Sequence, residues 1–262
     1  MASSCEINAH VPNVARMYDY WLGGKDNFAA DRDAADAASK LNPGARLCAL
    51  ENRRFLGRAV RYLAERGVRQ FLDIGTGLPA MGNVHAVAQS VHPDARTVYV
   101  DYDPVVVQHG RAMLATDDRT WMLHLDLRYP DFILSRAAEL LDFDEPVAVL
   151  LVASLHFITA AEDPYGIVAG LMEFTEPGSY LVISHVLETA ATVRAAAAYR
   201  SASAAVQVRS SDDIARFFTV ANARLVEPGL VRVPLWRPEV PVQLAREDAL
   251  RVDFLGGVGW RP

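Results

Sequence analysis

An acid and two glycines close an apolar run in Phe71-Leu72-Asp73-Ile74-Gly75-Thr76-Gly77-Leu78-Pro79. Glycines let a backbone approach a ligand closely, and an acid beside them can hold a cation or a sugar hydroxyl. A second run, Thr97-Val98-Tyr99-Val100, ends at Asp101 and is followed by Tyr102. A third, residues 120–125, is followed by Asp126 and Leu127. Asp101 is suited to both hydroxyls of a ribose. Asp126 can accept from the amino group of an adenine while Leu127 offers its backbone N–H to the ring. Acids at the ends of three successive strands would line one sheet edge, where such folds bind ligands. The chemistry implied is recognition of an adenosine-containing cofactor.

The turn narrows the choice. A dinucleotide fingerprint carries a third glycine for the pyrophosphate at the helix N-terminus, and here Pro79-Ala80 stands instead. S-Adenosylmethionine has no phosphate, and its methionine end carries an ammonium that suits an acid such as Asp73. The fourth apolar run ends Val152-Ala153-Ser154-Leu155-His156-Phe157. Its carboxyl end would face a reacting methyl, with Ala153 against the cofactor and His156 as base or positioning group. A satisfied, half-buried histidine is the competing reading of His156. His185, after the fifth run, is a weaker candidate for the acceptor pocket, and His85 weaker still. In-line transfer from a sulfonium needs no acid, so the protein chiefly aligns donor and acceptor and a base is optional.

A second dense cluster lies near the N-terminus: Tyr18-Asp19-Tyr20-Trp21-Leu22-Gly23-Gly24-Lys25-Asp26-Asn27-Phe28. One reading closes this loop over the cofactor, with Tyr18 or Tyr20 near the sulfonium and Gly24, Lys25, Asp26 and Asn27 at the acceptor. The other has Tyr18, Trp21 and Leu22 attach a lid while Asn27 caps the next helix; for Trp21 and Leu22 this second reading is preferred.

The elements that must carry these residues follow from periodicity. Val14, Met17, Tyr18, Trp21 and Leu22 form one apolar helical stripe, capped by Asn13 and ended by Gly23-Gly24. Helices follow over 29–41 and 45–66. Strands are predicted over 68–74, 97–101, 120–125, 147–152 and 179–186, with helices over 79–91, 104–115, 131–141, 162–176 and 189–208 between and after them. Ser211-Asp212-Asp213 opens another helix, and residues 224–233 and 252–260 suit an antiparallel pair at the sheet edge. The alternation is that of a doubly wound α/β sheet over 67–262, behind an N-terminal helical extension over 1–66.

Composition excludes several classes. In 262 residues, 51% are hydrophobic and 22% charged, enough for a large core, and the net charge of −6 argues against a nucleic-acid partner. Arg53, Arg54, Arg58, Arg61, Arg66 and Arg69 alternate with core-type residues and read as a solvated helix face. Cys5 and Cys48 have no metal-ligand spacing, so no metal site is expected. With no leader pattern at the N-terminus and no apolar run long enough for a bilayer, a cytoplasmic protein without a membrane partner is expected. The sequence does not specify an oligomeric state.

Read together, the segments PNVARMYDYWLGGKDNFAADRDAA, FLDIGTGLPAMGNVHAVAQ, VYVDYDPVVVQHGRAML, DLRYP, LLVASLHFI, DPYGIVAGL, PGSYLVISH and EPGLVRVPLWRP resemble the bacterial S-adenosylmethionine-dependent methyltransferase family once catalogued only as a domain of unknown function. The resemblance runs over nearly the whole chain. It implies a class I, Rossmann-like methyltransferase fold: a seven-stranded, mostly parallel sheet whose last strand is antiparallel, plus a helical lid. It also implies that Gly75, Thr76, Gly77, Asp101 and Asp126 take the usual cofactor positions. Pro79 departs from the general glycine-rich pattern but not from this family's motif. The lid's aromatic residues favour a small, partly apolar methyl acceptor. A non-catalytic protein binding S-adenosylmethionine or S-adenosylhomocysteine, and a nicotinamide-dependent oxidoreductase, are the alternatives.

Overall fold

The structure is a computed structural model and describes residues 8–197, 199 and 202–262. Five apolar runs form the parallel strands β1 (Gln70–Ile74), β2 (Arg96–Asp101), β3 (Thr120–His124), β4 (Ala148–Val152) and β5 (Tyr180–Val186). Three more strands, β6 (Arg224–Leu225), β7 (Val231–Arg232) and β8 (Phe254–Trp260), complete one sheet of eight. The order is β3-β2-β1-β4-β5-β8-β6, with β7 also beside β8. β8 runs antiparallel to β5, β6 and β7. Seven strands were expected. The eighth arises because the edge position is split: Arg224–Leu225 pairs with Trp260 and Gly259, and Val231–Arg232 with Gly256 and Leu255. The order reverses between β1 and β4, the crevice where open α/β sheets bind ligands.

Helices cover both faces. They are α1 (Val14–Leu22), α2 (Ala29–Leu41), α3 (Ala45–Ala64), α4 (Val84–Val91), α5 (Pro104–Met113), α6 (Pro130–Ala137), α7 (Pro164–Glu173), α8 (Ala190–Ala196), α9 (Ser211–Val220) and α10 (Val242–Ala249). Strand alternation divides the core in two. Phe71, Tyr99, Leu150 and Val182 pack with Phe55 and Leu63 of α3 and with Trp236. Leu72, Val98, Val149 and Ile183 pack with Ile133, Val168 and Phe217 on the other face. Because α3 shares a core with the sheet, the extension expected over 1–66 does not stand apart as a unit. Only Met17, Trp21, Ala35, Ala38 and Ala49 form a small core of their own where α1, α2 and α3 meet.

Several helices are shorter than predicted, two of them in ways that bear on the site. The one expected over 79–91 begins at Val84, leaving 79–83 as a loop. The one expected over 189–208 stops at Ala196, despite its alanine content. Beyond it the backbone donors go elsewhere: Ser203 N–H to the Pro12 carbonyl (2.8 Å) and Gln207 N–H to the His156 carbonyl (2.7 Å). Tertiary hydrogen bonds thus override helix propensity. The arginine face of α3 is not uniformly solvated either. Arg58 is buried and donates to the carbonyls of Trp236 (2.8 Å) and Val233 (2.6 Å). Among the described residues, no helix is long and apolar enough to cross a membrane.

Candidate functional site

A cavity of about 320 Å³ opens at the carboxyl ends of β1, β2 and β4, roofed by α1, α3 and residues 203–206. Its volume is that of a small-molecule site. β1 delivers Asp73 into the wall, buried, its carboxylate without a hydrogen bond among the described residues. Burial pushes this carboxyl up to about 7, with Arg53 opposing the rise and Asp101 adding to it. Gly75 follows at φ +79°. A Cβ there would lie 2.6 Å from Ser154 Cβ, so the turn lies directly against the end of β4. Thr76 donates its hydroxyl to the Asp73 carbonyl (3.0 Å) and closes the turn.

Asp101 ends β2 and is also buried, its carboxyl pushed up to about 6, again chiefly by burial. It accepts from Gly77 N–H and Asp103 N–H, both at 2.9 Å, and so ties the glycine turn to the start of α5. Asp103 caps α5, accepting from Val105 and Val106, and also accepts from the Asn13 side chain. Tyr102 lines the cavity and donates to Ser203 Oγ at 3.4 Å. Asp126 and Leu127 lie past β3. The Asp126 carboxylate is gripped by Arg128, whose Nε reaches both oxygens at 2.9 and 3.0 Å and whose Nη1 pairs with Glu162 at 3.3 Å. Burial raises the Asp126 carboxyl, but the Arg128 hydrogen bonds outweigh that and hold it below the usual range.

Past β4, Ala153 takes φ +58° and donates its N–H to Ser184 Oγ at 3.0 Å. A non-glycine residue held in that region is strained, as at many ligand sites. His156 lines the cavity, and its Nδ1 is buried without a partner. Burial, with His185 and Arg209 beside it, keeps its ring well below the ordinary histidine range and hence neutral. His185, proposed from sequence for the acceptor pocket, lies outside the cavity wall. It is fully buried, with Nδ1 on the Val186 carbonyl (2.8 Å) and Nε2 on Arg209 Nη1 (2.7 Å). Arg209 also donates to the carbonyls of Leu155 and Ile158, so His185 helps anchor the turn that carries His156. His85 is likewise off the wall, bonded to Tyr99 Oη.

The N-terminal cluster divides. Tyr18 lines the cavity, its phenol donating to the Ala49 carbonyl (2.9 Å) and accepting from Asn52 Nδ2 (3.0 Å). Burial pushes it up to about 12. Tyr20, Gly24, Lys25, Asp26 and Asn27 do not reach the wall. Tyr20 donates to Asp36 on α2. The loop 23–28 folds onto Asp19, which accepts from Asp26 N–H (3.1 Å) and Asn27 Nδ2 (2.8 Å). A Cβ on Gly24 would lie 1.9 Å from Asp19 Oδ1. The glycine, Asp26 and Asn27 are therefore spent satisfying a buried acid, and loop closure over a ligand has no support in this geometry.

Residues that sequence reasoning missed include Asn13, Asn52, Arg53, Cys48, Phe157 and Tyr199, all on the wall. Asn13 had been assigned only a cap. Its side chain also reaches Ser203 Oγ at 3.2 Å, joining the start of α1 to the segment over the cavity. The Cys48 thiol is pushed up to about 11 by burial. Among the described residues no group of His, Cys, Asp and Glu is arranged to hold a metal, and Cys5 lies outside the described residues.

This strand order, with a crevice at the reversal, an acid-glycine turn after β1 and a buried acid ending β2, defines a class I methyltransferase fold. The S-adenosyl methyltransferase family model matches residues 1–262, and the chain belongs to that family. A DUF574-family protein from Streptomyces avermitilis is 37% identical, with a TM-score of 0.92 over 98% of this chain and all of that one. A candidate methyltransferase from Thermobifida fusca is 42% identical, with a TM-score of 0.90 over 96% of each chain. A mitomycin 7-O-methyltransferase, 16% identical over 84% of this chain and 56% of its own, shares the fold at a TM-score of 0.52. The comparison with curated proteins returns no match. The chain is thus an S-adenosylmethionine-dependent methyltransferase.

Proposed function

We propose that the chain methylates a small, uncharged, largely apolar molecule held under α1, α3 and residues 203–206. The observation that carries this is the division of charge along the cavity wall. The strand side presents Asp73, Asp101 and the Arg128-paired Asp126. The helix side presents Trp21, Ala45, Cys48, Ala49, Phe157 and Tyr199, with the Tyr18 phenol and Cys48 thiol both held neutral by burial; Arg53 of α3 also lines it, close enough to Asp73 to restrain the rise of that carboxyl. Asp253 on this side is paired with Arg232 at 3.2 Å. With Arg53 engaged at the Asp73 end, a charged acceptor among these residues would be desolvated without a partner, a cost of several kcal/mol.

The residues fit the cofactor: an unpartnered buried acid faces a cation's place, beside a glycine turn that a Cβ would obstruct. In this reading Asp73 takes the ammonium and Asp101 the ribose hydroxyls. Gly75, Thr76 and Gly77 bring the backbone close, and Tyr102, Asp126 and Leu127 flank the adenine. When bound, the cofactor supplies an electrophilic methyl on a sulfonium that leaves as a neutral thioether. Ala153 and the 154–157 turn hold the acceptor in line. His156, neutral between Arg209 and His185, orients the acceptor by hydrogen bonding and does not store its proton. Tyr18 shapes the same chamber.

The test is S-adenosylhomocysteine release over matched sets of phenols, arylamines and their carboxylated or alkylammonium analogues. Turnover confined to uncharged members is expected. Turnover of charged members, or of nucleic acid alone, would overturn the assignment.

A further inference from the structure

Arg53 stands on α3, in the N-terminal extension, yet it lines the same cavity as Asp73. Its place is set from outside: Nε donates to the Met81 carbonyl (3.0 Å) and Nη2 to Asn83 Oδ1 (2.8 Å). Those two acceptors sit in the loop between the glycine turn and α4. Nη1 makes no hydrogen bond among the described residues. Among the described residues two arginines line this cavity, and the other, Arg128, is spent on Asp126 and Glu162. Among the described residues Arg53 has no carboxylate within 4.0 Å, and Asp73 has no cation within that distance. The two charges nevertheless sense each other, since Arg53 restrains the rise of the Asp73 carboxyl.

One wall thus holds an unpaired acid and an unpaired guanidinium, near each other but not bridged. A ligand group that completes both is a zwitterion with ammonium and carboxylate on one carbon. We infer that Arg53 binds the carboxylate of the cofactor's amino-acid end while Asp73 binds its ammonium. This rests on the cofactor being S-adenosylmethionine. It makes the helical extension part of the cofactor site, and it makes the protein selective for adenosyl ligands that keep the α-amino carboxylate. A guanidinium presents a planar fork matched to a carboxylate, and such charge-assisted pairs are strong.

The competing role for Arg53 is to hold the 80–83 loop, and calorimetry with two ligands separates the roles. S-Adenosylhomocysteine carries the amino acid, whereas 5′-methylthioadenosine keeps the adenosine and thioether and lacks it. The wild type is expected to prefer the former. Arg53→Gln should weaken S-adenosylhomocysteine by roughly 10- to 100-fold and 5′-methylthioadenosine by less than about twofold, with Arg53→Lys recovering part of the loss. Equal losses for both ligands, or none for either, would overturn the inference. If Arg53→Gln does not fold, the wild type still decides: equal affinity for the two ligands also overturns it. A wild type that bound neither ligand would overturn the cofactor assignment itself, a separate and recognisable result.

Discussion

Two stretches of this chain look alike as sequence: an acid followed by closely spaced glycines at 73–77, and an acid followed by glycines at 19–24. Folded, they do opposite things. Asp73 is buried without a hydrogen-bond partner and faces a cavity, with its carboxyl pushed up to about 7. Asp19 is buried too, but the loop that follows it turns back and donates Asp26 N–H and Asn27 Nδ2 to its carboxylate. A buried acid asks for partners in either case. Where the chain supplies them, the motif is architecture; where it does not, the acid is left open to the cavity.

The contrast is most directly broken at Asp73. Asp73→Asn should fold normally, melt higher when empty, and lose about 100-fold or more in affinity for S-adenosylhomocysteine by calorimetry. An unchanged affinity would mean the acid is not left for the ligand. The pH dependence is next in size. Folding raises the Asp73 carboxyl from 3.8 to about 7 and that of Asp101 to about 6. The native protein therefore binds protons that the unfolded chain has released above about pH 4. Stability of the empty protein should fall as pH rises from about 4 to 7. Affinity for the ammonium-bearing ligand should move the other way, rising about tenfold per pH unit up to about pH 7 and then levelling. A flat affinity between pH 5 and 8 would contradict the ionised-acid role.

At the other loop the expected loss is in folding, not binding. Asp19→Ala leaves Asp26 N–H without its acceptor and the Asn27 amide with only the Gly24 carbonyl, and should destabilise by about 1–3 kcal/mol in denaturant melts with cofactor affinity unchanged. Gly24→Ala should do at least as much, because its Cβ would fall inside the Asp19 carboxylate. The smallest effect is expected for Lys25→Ala with Asp26→Ala. Among the described residues the Asp26 side chain pairs only with His109, at 3.6 Å, and its backbone donor survives the change. A clear loss of turnover in that double variant would restore the loop to the site.

The strand side of the cavity was legible because strand ends are legible. Apolar runs buried on both faces of a parallel sheet announce themselves, and the residue after each run must emerge at the carboxyl edge. Asp73, Gly75, Asp101 and Asp126 follow from that alone. Arg53 did not, since helical periodicity tells the buried stripe from the rest of the surface but not which polar positions meet a cavity. His185 was the weaker candidate beside His156, although each closes a strand. A parallel bridge between Leu187 and Arg209 brings the Arg209 guanidinium beneath the sheet end, and it takes up the His185 ring.

Local order along the chain was enough to specify a doubly wound sheet, its acid-glycine turn and an adenosyl cofactor, because each depends on periodicity and on residues adjacent in sequence. The shape of the acceptor chamber depends on long-range contacts: α3 against the sheet, residues 203–206 drawn to Pro12 and Asn13, and a carboxylate satisfied by its own loop in one place and left open in another. Whether a polar group is already paired is a property of what folding brings beside it, and that is where the two glycine-acid motifs part.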